Sequence, residues 1–336
     1  MDVLSDVLHA IRLNGAALFR VSFRAPWSIV TSGGDNLERA LSSPVRRIVV
    51  FHIVIRGHCW AQLEHGPPQR LGAGEAVVLP RSDVHVLADE LGRKPVATEA
   101  LLHDLPFFEL RDLKYGGNGA LTEILCGFLI CDQTDFEPLF ASLPPLLRTS
   151  FRGVAGMADL EDLLEHAVRE AVSESEGGAN SRLRMTELLF VEALRRYMVA
   201  LPPDQTGWLA GLRDPAVGKV LGLMHDEPCY PWTVSELASR AAVSRSALAA
   251  RFSALLGVPP MRYLARWRLL LAARELRDSR RSVAAIAASI GYDSPAAFQR
   301  AFKRFQGETP AACRRRSQGL ARAGITLRGA GSHHVA

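Results

Sequence analysis

No apolar run in this chain approaches the roughly 18 to 20 residues that a membrane-spanning helix needs, which excludes a helical membrane protein. The first residues include Asp2 and Asp6 and lack the basic opening, apolar stretch and small-residue cleavage site of a secretory signal, so the chain reads as cytoplasmic. Cysteine is scarce. Cys59, Cys126, Cys131, Cys229 and Cys313 are odd in number, scattered and free of any CxxC pair, which argues against a disulfide frame or a zinc ribbon and predicts reduced thiols. The stretch Gly116-Gly117-Asn118-Gly119 lacks the Lys-Ser/Thr sequel or strand-to-helix setting of a phosphate loop. Nothing in the chain arranges a nucleophile with a base, so no catalytic residue is assigned.

What is present is length and a lopsided charge. A chain of 336 residues exceeds what one core usually organises, so two domains and a connector are expected. With 48% hydrophobic and 22% charged residues, the composition is that of a globular protein. Residues 1–212 hold 20 Lys/Arg against 27 Asp/Glu, whereas 213–316 hold 18 against 8, so the first part is −7 and the second +10. The C-terminal part alone carries the footprint of a polyanion binder.

From Val45 to Leu87, short β-branched and apolar runs alternate with turn residues: Arg47 to Ile55, Cys59 to Leu63, the turn Gly66-Pro67-Pro68, then Ala76 to Leu79 before Pro80. The run Leu121 to Cys131 completes an antiparallel β domain, placed at 1–135. Two helices are predicted between Ala158 and Val199, from Leu160, Leu163, Leu164 and Ala167, then Leu188, Leu189, Val191 and Leu194. They form a connector, 136–212, that could dimerise the protein. Pro202-Pro203-Asp204-Gln205-Thr206-Gly207 marks a boundary, 213–316 reads as wholly helical, and 317–336, with His333-His334, as a disordered tail.

The helical part contains a plan used twice. Thr233-Val234-Ser235-Glu236 fits a capping box and opens a helix to about Arg240. After a turn, Ser244 caps a second helix whose Leu248, Phe252 and Leu255 share a buried face, and Gly257 ends it. About fifty residues later Val283, Ile286 and Ala287 repeat Val234, Leu237 and Ala238. Ser294 then caps a helix with Pro295 at its first position and Phe298, Phe302 and Phe305 as its triplet. The outward faces hold Arg245, Ser246, Ala249, Ala250 and Ser253 in one copy and Ala296, Gln299, Arg300, Lys303 and Arg304 in the other. A helix from Met261 to Asp278 joins them. A helix in the major groove needs small residues where its backbone nears the bases and polar or cationic ones at base edges and phosphates. Two such helix-turn-helix units, about 234–256 and 283–306, could enter successive grooves about 34 Å apart.

These residues resemble the DNA-binding domain of the AraC/XylS family, over WTVSELASRAAVSRSALAARFSALLGVPPMRYLARWRLLLAARELRDS and SVAAIAASIGYDSPAAFQRAFKRFQGETPAACRR. The resemblance implies base reading by Ser246, Ala249 and Ala250 in the first helix and by Pro295, Ala296, Gln299 and Arg300 in the second. Ser244, Arg245, Ser294, Lys303 and Arg304 stand beside them as DNA-binding residues. The first helix is poorer in large polar side chains than is usual in the family, so Arg245 or Arg251 to phosphate and the second helix are expected to carry more of the recognition. The implied partners are double-stranded promoter or operator DNA, a small-molecule effector, and RNA polymerase if the protein is an activator.

Ahead of this, GEAVVLPRSDVH from Gly74 to His85 resembles the second cupin motif, with Ser82 where a glycine is usual. PWSIV, FHIVIRGHCWAQLEHG and GAGEAVVLPRSDVHVL resemble the cupin domain fused to AraC-type domains. The fold class expected is therefore two-domain α+β: an antiparallel cupin-like β-barrel, connector helices, and an all-α double helix-turn-helix domain. With Gly57 aligned to the glycine of the first cupin motif, Val50 falls at the carboxylate position and no HxH precedes it, so the usual metal set is incomplete. His52, Cys59 and His85 could still converge on a transition metal, and with Trp60 they are the candidate effector-binding residues. An effector pocket without metal is preferred. His58, His65 and His103 are read as turn or surface residues. The alternative function is a cupin metalloenzyme, a dioxygenase or isomerase, with a helical appendage. The leading one is a regulator whose cupin domain senses an effector and shifts the DNA-binding domain.

Overall fold

The computed structural model describes residues 2–11, 13–31, 33, 46–101, 112–132, 137–152, 158–173 and 177–322. They fall into a sheet unit, 11–133 with 139–205, and a helical unit, 1–10 with 134–138 and 206–336. Of the sequence expectations, His103 and the tail beyond Arg322 lie outside the described residues.

The helical unit owns the first element, α1 (Val3–Ala10); the sheet unit begins after it with β1 (Leu13–Arg24) and β2 (Ser28–Thr31). Then come β3 (Arg46–Arg56), β4 (His58–Leu63), β5 (Gln69–Gly72), β6 (Glu75–Leu79), β7 (His85–Ala88), β8 (Val96–Ala97), α2 (Thr98–Leu101), β9 (Asp112–Gly116) and β10 (Leu121–Asp132). The order in one sheet is β11-β6-β3-β10-β1-β9, with β11 at Leu147–Ser150, and in the other β5-β4-β7-β2-β8. The antiparallel barrel expected from the sequence thus takes the form of two sheets, and two pairs, β1 with β9 and β2 with β8, are parallel. Strand β1 was not read from the sequence, yet it pairs with β10 along nearly its whole length. Both sheets contribute to one core: Phe23, Val54, Val77, Ile124 and Phe128 from the first, Ile29, Cys59, Ala61, Leu71 and Leu87 from the second. Full burial of each large aliphatic or aromatic side chain contributes about 1.5–3 kcal/mol.

Helices α4 (Ala158–Val172) and α5 (Gly178–Ala200) follow α3 (Glu137–Ala141) and pack on strand β1, with α5 also touching β10 and β11. The pair expected as a connector therefore lies against the six-stranded sheet, within the same unit. Helix α5 buries Met185, Leu189, Phe190, Ala193 and Leu194; Leu188, expected on that face, is exposed.

The helical unit continues with α6 (Trp208–Arg213), α7 (Pro215–Asp226), α8 (Val234–Arg240), α9 (Arg245–Leu256), α10 (Pro260–Asp278), α11 (Val283–Ser289), α12 (Pro295–Gln306) and α13 (Pro310–Arg322). Helix α13 runs six residues into the stretch expected as a tail. The caps are those the sequence signals: Oγ1 of Thr233 accepts from the Glu236 amide at 3.1 Å, and Oγ of Ser244 accepts from Ala247 at 3.1 Å. Gly257 and Gly307 close α9 and α12 in the left-handed region, φ 69° and 77°, where a Cβ is disfavoured. The Glu236 carboxylate takes the Tyr230 hydroxyl at 2.8 Å, so the second arm of the capping box goes to a side chain.

Helix α10 runs through the middle of this unit with Tyr263, Leu264, Trp267 and Leu270 buried. The Trp208 indole donates to the Tyr263 hydroxyl at 2.9 Å, and that hydroxyl is hydrogen-bonded to Nε2 of His225 at 2.8 Å. The His225 ring stacks on Trp267 at 4.0 Å. Helix α1 packs on α7 and α10, burying Leu4, Val7 and Ala10. Its Asp6 carboxylate lies 3.8 Å from Nδ1 of His225, the nitrogen that carries the proton when Nε2 accepts. No helix among the described residues is long and apolar enough to cross a membrane.

Candidate nucleic-acid interface and sensor site

Helix α12 is a two-faced element. Phe298 and Phe302 are fully buried against Leu269, Ala272, Ala273 and Leu276 of α10 and Ile286 and Ala287 of α11. Because a helix repeats every 3.6 residues, that anchoring turns Pro295, Ala296, Gln299, Arg300, Lys303 and Arg304 outward together, and all six are exposed. Arg300, Lys303 and Arg304 make no ion pair with another described residue, so three cationic heads and one amide face solvent on one surface. The Ser294 hydroxyl accepts from the Ala297 amide at 3.4 Å, which occupies a lone pair and leaves its proton free to donate.

Helix α9 repeats the design with smaller side chains. Leu248 and Phe252 are buried, Arg245, Ser246 and Ala250 are exposed, and Ala249 is half-buried. Ser244 and Ser246 stand with their hydroxyl oxygens 3.2 Å apart at the start of the helix. Arg251 does not point free as expected. Its guanidinium meets the Asp214 carboxylate at 2.5 Å, while the other oxygen of that carboxylate caps α7 by accepting from Ala216 and Val217. Arg245 is the unpaired cation on this helix among the described residues.

In the sheet unit, His52 on β3 and His85 on β7 meet inside the core, with their Nε2 atoms 2.8 Å apart. Sequence reasoning missed the third member, Cys126. In the β3–β10 ladder it stands directly opposite His52, and its thiol lies 3.1 Å from Nδ1 of His52. Each proton can be placed. Nδ1 of His85 lies 2.9 Å from the Asp83 carbonyl, which only accepts, so Nδ1 carries hydrogen and Nε2 is bare. His52 then donates from Nε2 to His85, and its own bare Nδ1 accepts from the Cys126 S–H. Burial holds both rings neutral: His85 is pushed down to about 4 and His52 well below its ordinary value, with the neighbouring ring adding to the effect at His52. Burial likewise pushes the Cys59 thiol up to about 12 and raises Cys126, with Cys59 near enough to add to the second shift.

This arrangement does not fit a metal. The two nitrogens of an imidazole look away from each other, so Cys126 and His85 sit on opposite edges of His52 and cannot face one ion with it. Among the described residues no group of three or more His, Cys, Asp or Glu side chains is arranged to hold one. Cys59 is fully buried in the same core; Trp60, one residue on, projects to the opposite face of β4 and does not join the set. Ser82, at the usual cupin glycine, adopts φ 55° and is buried, keeping the left-handed turn that leads into His85 without the residue that suits it. A cleft of about 560 Å³ opens elsewhere in the unit, lined by Gly57, His58, Gln69, Arg70, Glu75 and Arg148 among others.

Comparison with known proteins matches two family models, Cupin over residues 2–199 and Helix-turn-helix domain over residues 237–316. A Streptomyces antibioticus protein named as an AraC-like transcription regulator is 31% identical over 312 residues, 92% of this chain and 97% of its own. The RCS-specific HTH-type transcriptional activator RclR of Escherichia coli K12 is 35% identical over 330 residues, 96% of this chain and 100% of its own. Among solved structures, the DNA-binding domain of AdpA in complex with a target DNA is 33% identical and covers 33% of this chain and 99% of that one, with a TM-score of 0.31.

Proposed function

Because the chain belongs to the AraC family of transcription regulators, with a cupin domain ahead of a helix-turn-helix domain, we propose that α9 and α12 each enter a major groove, on one face of a promoter duplex. In this reading Gln299 and Arg300 read base edges, since an amide and a guanidinium match adenine and guanine bidentately. Ser246, Ala249, Ala250, Pro295 and Ala296 let the backbones approach. Ser244, Ser294, Arg245, Lys303 and Arg304 hold phosphates. The observation that carries the reading is the exposed face of α12, where Gln299, Arg300, Lys303 and Arg304 stand together over a buried Phe298–Phe302 floor.

The protein would work in the cytoplasm as an effector-controlled activator that meets RNA polymerase at the promoter, with a second copy of the chain as a further partner. The effector is a small molecule taken up by the sheet unit, whose polar interior groups include His52, His85 and Cys126. A cupin metalloenzyme would need a ligand set that His52, Cys59 and His85 do not form.

The test is footprinting of the purified protein on DNA flanking its own gene, with Arg300→Ala and Gln299→Ala in parallel. The expected result is protection over about two helical turns, with each variant losing about 1–3 kcal/mol of discrimination at one base position. Binding that is indifferent to sequence overturns the proposal.

A further inference from the structure

The loop between α7 and α8 touches both helix-turn-helix units at once. On the side of the first unit, the Tyr230 hydroxyl donates to Glu236 of α8 at 2.8 Å. On the side of the second, the Cys229 thiol donates to the Ser289 carbonyl at the end of α11, at 2.6 Å. Between them stands Arg268, near the middle of α10, the helix that joins the units. Its guanidinium donates through Nε to the Pro228 carbonyl at 2.5 Å and through Nη2 to the Tyr230 carbonyl at 2.7 Å. The same group lies against the turn of the second unit: a Cβ placed on Gly291 would stand 3.4 Å from its Nη1.

A single helix as joint would leave the two recognition helices able to twist and bend relative to each other, because long helices flex. Two charge-assisted hydrogen bonds from a half-buried guanidinium remove that freedom by tying the joint to a loop that both units hold. Arg268 belongs to α10 rather than to either recognition helix, and its guanidinium is engaged by the Pro228 and Tyr230 carbonyls, so its influence on DNA passes through geometry.

We infer that Arg268 is a positioning residue that fixes the phase between the two recognition helices, making the interval between the two contacted DNA segments itself a determinant of recognition. The inference rests on the two-groove reading above. Inserting one base pair displaces the second segment by about 3.4 Å and about a tenth of a turn, and a locked protein cannot follow.

The experiment measures binding of the full-length protein to its footprinted site and to versions with one base pair added or removed between the two protected segments. Wild type is expected to lose about tenfold or more on the altered intervals. Arg268→Ala is expected to lose about threefold or less relative to its own affinity for the native interval, with Arg268→Lys in between. The ratio, unlike overall affinity, does not move for a variant that is merely less stable. Should Arg268→Ala fail to fold, as read by its circular dichroism, Cys229→Ala takes its place with the same criterion, since it removes one exposed tie of the same junction. An interval penalty in the variants equal to that of wild type overturns the role of Arg268. Wild-type tolerance of all three intervals overturns the fixed phase. Absence of any sequence preference in wild type is a separate failure, that of the two-groove reading.

Discussion

At the scale of single residues, the buried imidazoles tie folding of the sheet unit to pH. In the unfolded chain His85 and His52 take up protons near their ordinary value of 6.5, whereas burial holds folded His85 down to about 4 and folded His52 well below its ordinary value. Below pH 6.5 the unfolded chain therefore binds more protons than the folded one, and stability falls as pH drops from there towards 4. The slope reaches about 1.4 kcal/mol per pH unit for each imidazole. Above pH 6.5 this contribution is flat. Urea unfolding followed by the fluorescence of Trp27 and Trp60 should show midpoints falling between pH 7 and pH 5, and His85→Gln should flatten that fall. A midpoint constant across the range, for wild type, would mean that the rings are not held neutral.

At the scale of elements, α12 separates stability from binding within one helix. Phe302→Ala empties a fully buried site and should cost about 3–5 kcal/mol, read as a lowered melting temperature. Lys303→Ala, one position on and exposed, should leave the melting temperature within a degree or two while weakening binding to cognate and unrelated DNA alike. Elements of this kind were legible because their signals are local. Thr233, Ser244, Ser294 and Gly257 mark helix ends within three or four residues of the hydrogen bonds they make, and the spacing of Phe298 and Phe302 reveals a buried face. Strands carry no such marks. That His52 faces inward followed from strand parity, and that His85 joins it followed from the motif. That Cys126 completes the chain depends on the register of β10 against β3, set by contacts 74 residues apart in sequence. Strand β1, LNGAALFRVSFR, does alternate from Phe19 to Arg24, but its first half, with Asn14, Gly15, Ala16 and Ala17, is made of residues depleted in strands, and its pairing with β10 draws that half into the sheet.

At the scale of the whole molecule, the chain's first turns belong with its last third. Helix α1 buries Leu4 and Val7 against α7 and α10, and the Asp6 carboxylate lies 3.8 Å from Nδ1 of His225. Removing residues 2–10 should therefore lower the melting temperature of the helical unit by several degrees, since two lost large aliphatic side chains amount to about 3–6 kcal/mol at most. An unchanged transition for that unit would mean the helix contributes nothing there. The pairing of Arg251 with Asp214 has its own consequence at this scale, in the ions that leave the duplex on binding. An arginine already neutralised by a carboxylate displaces no cation from DNA. The two recognition helices then release counterions through Arg245, Arg300, Lys303 and Arg304 alone, and each of these would add about 0.9 to the steepness with which binding weakens as salt rises. Arg251 would add nothing until Asp214 let it go.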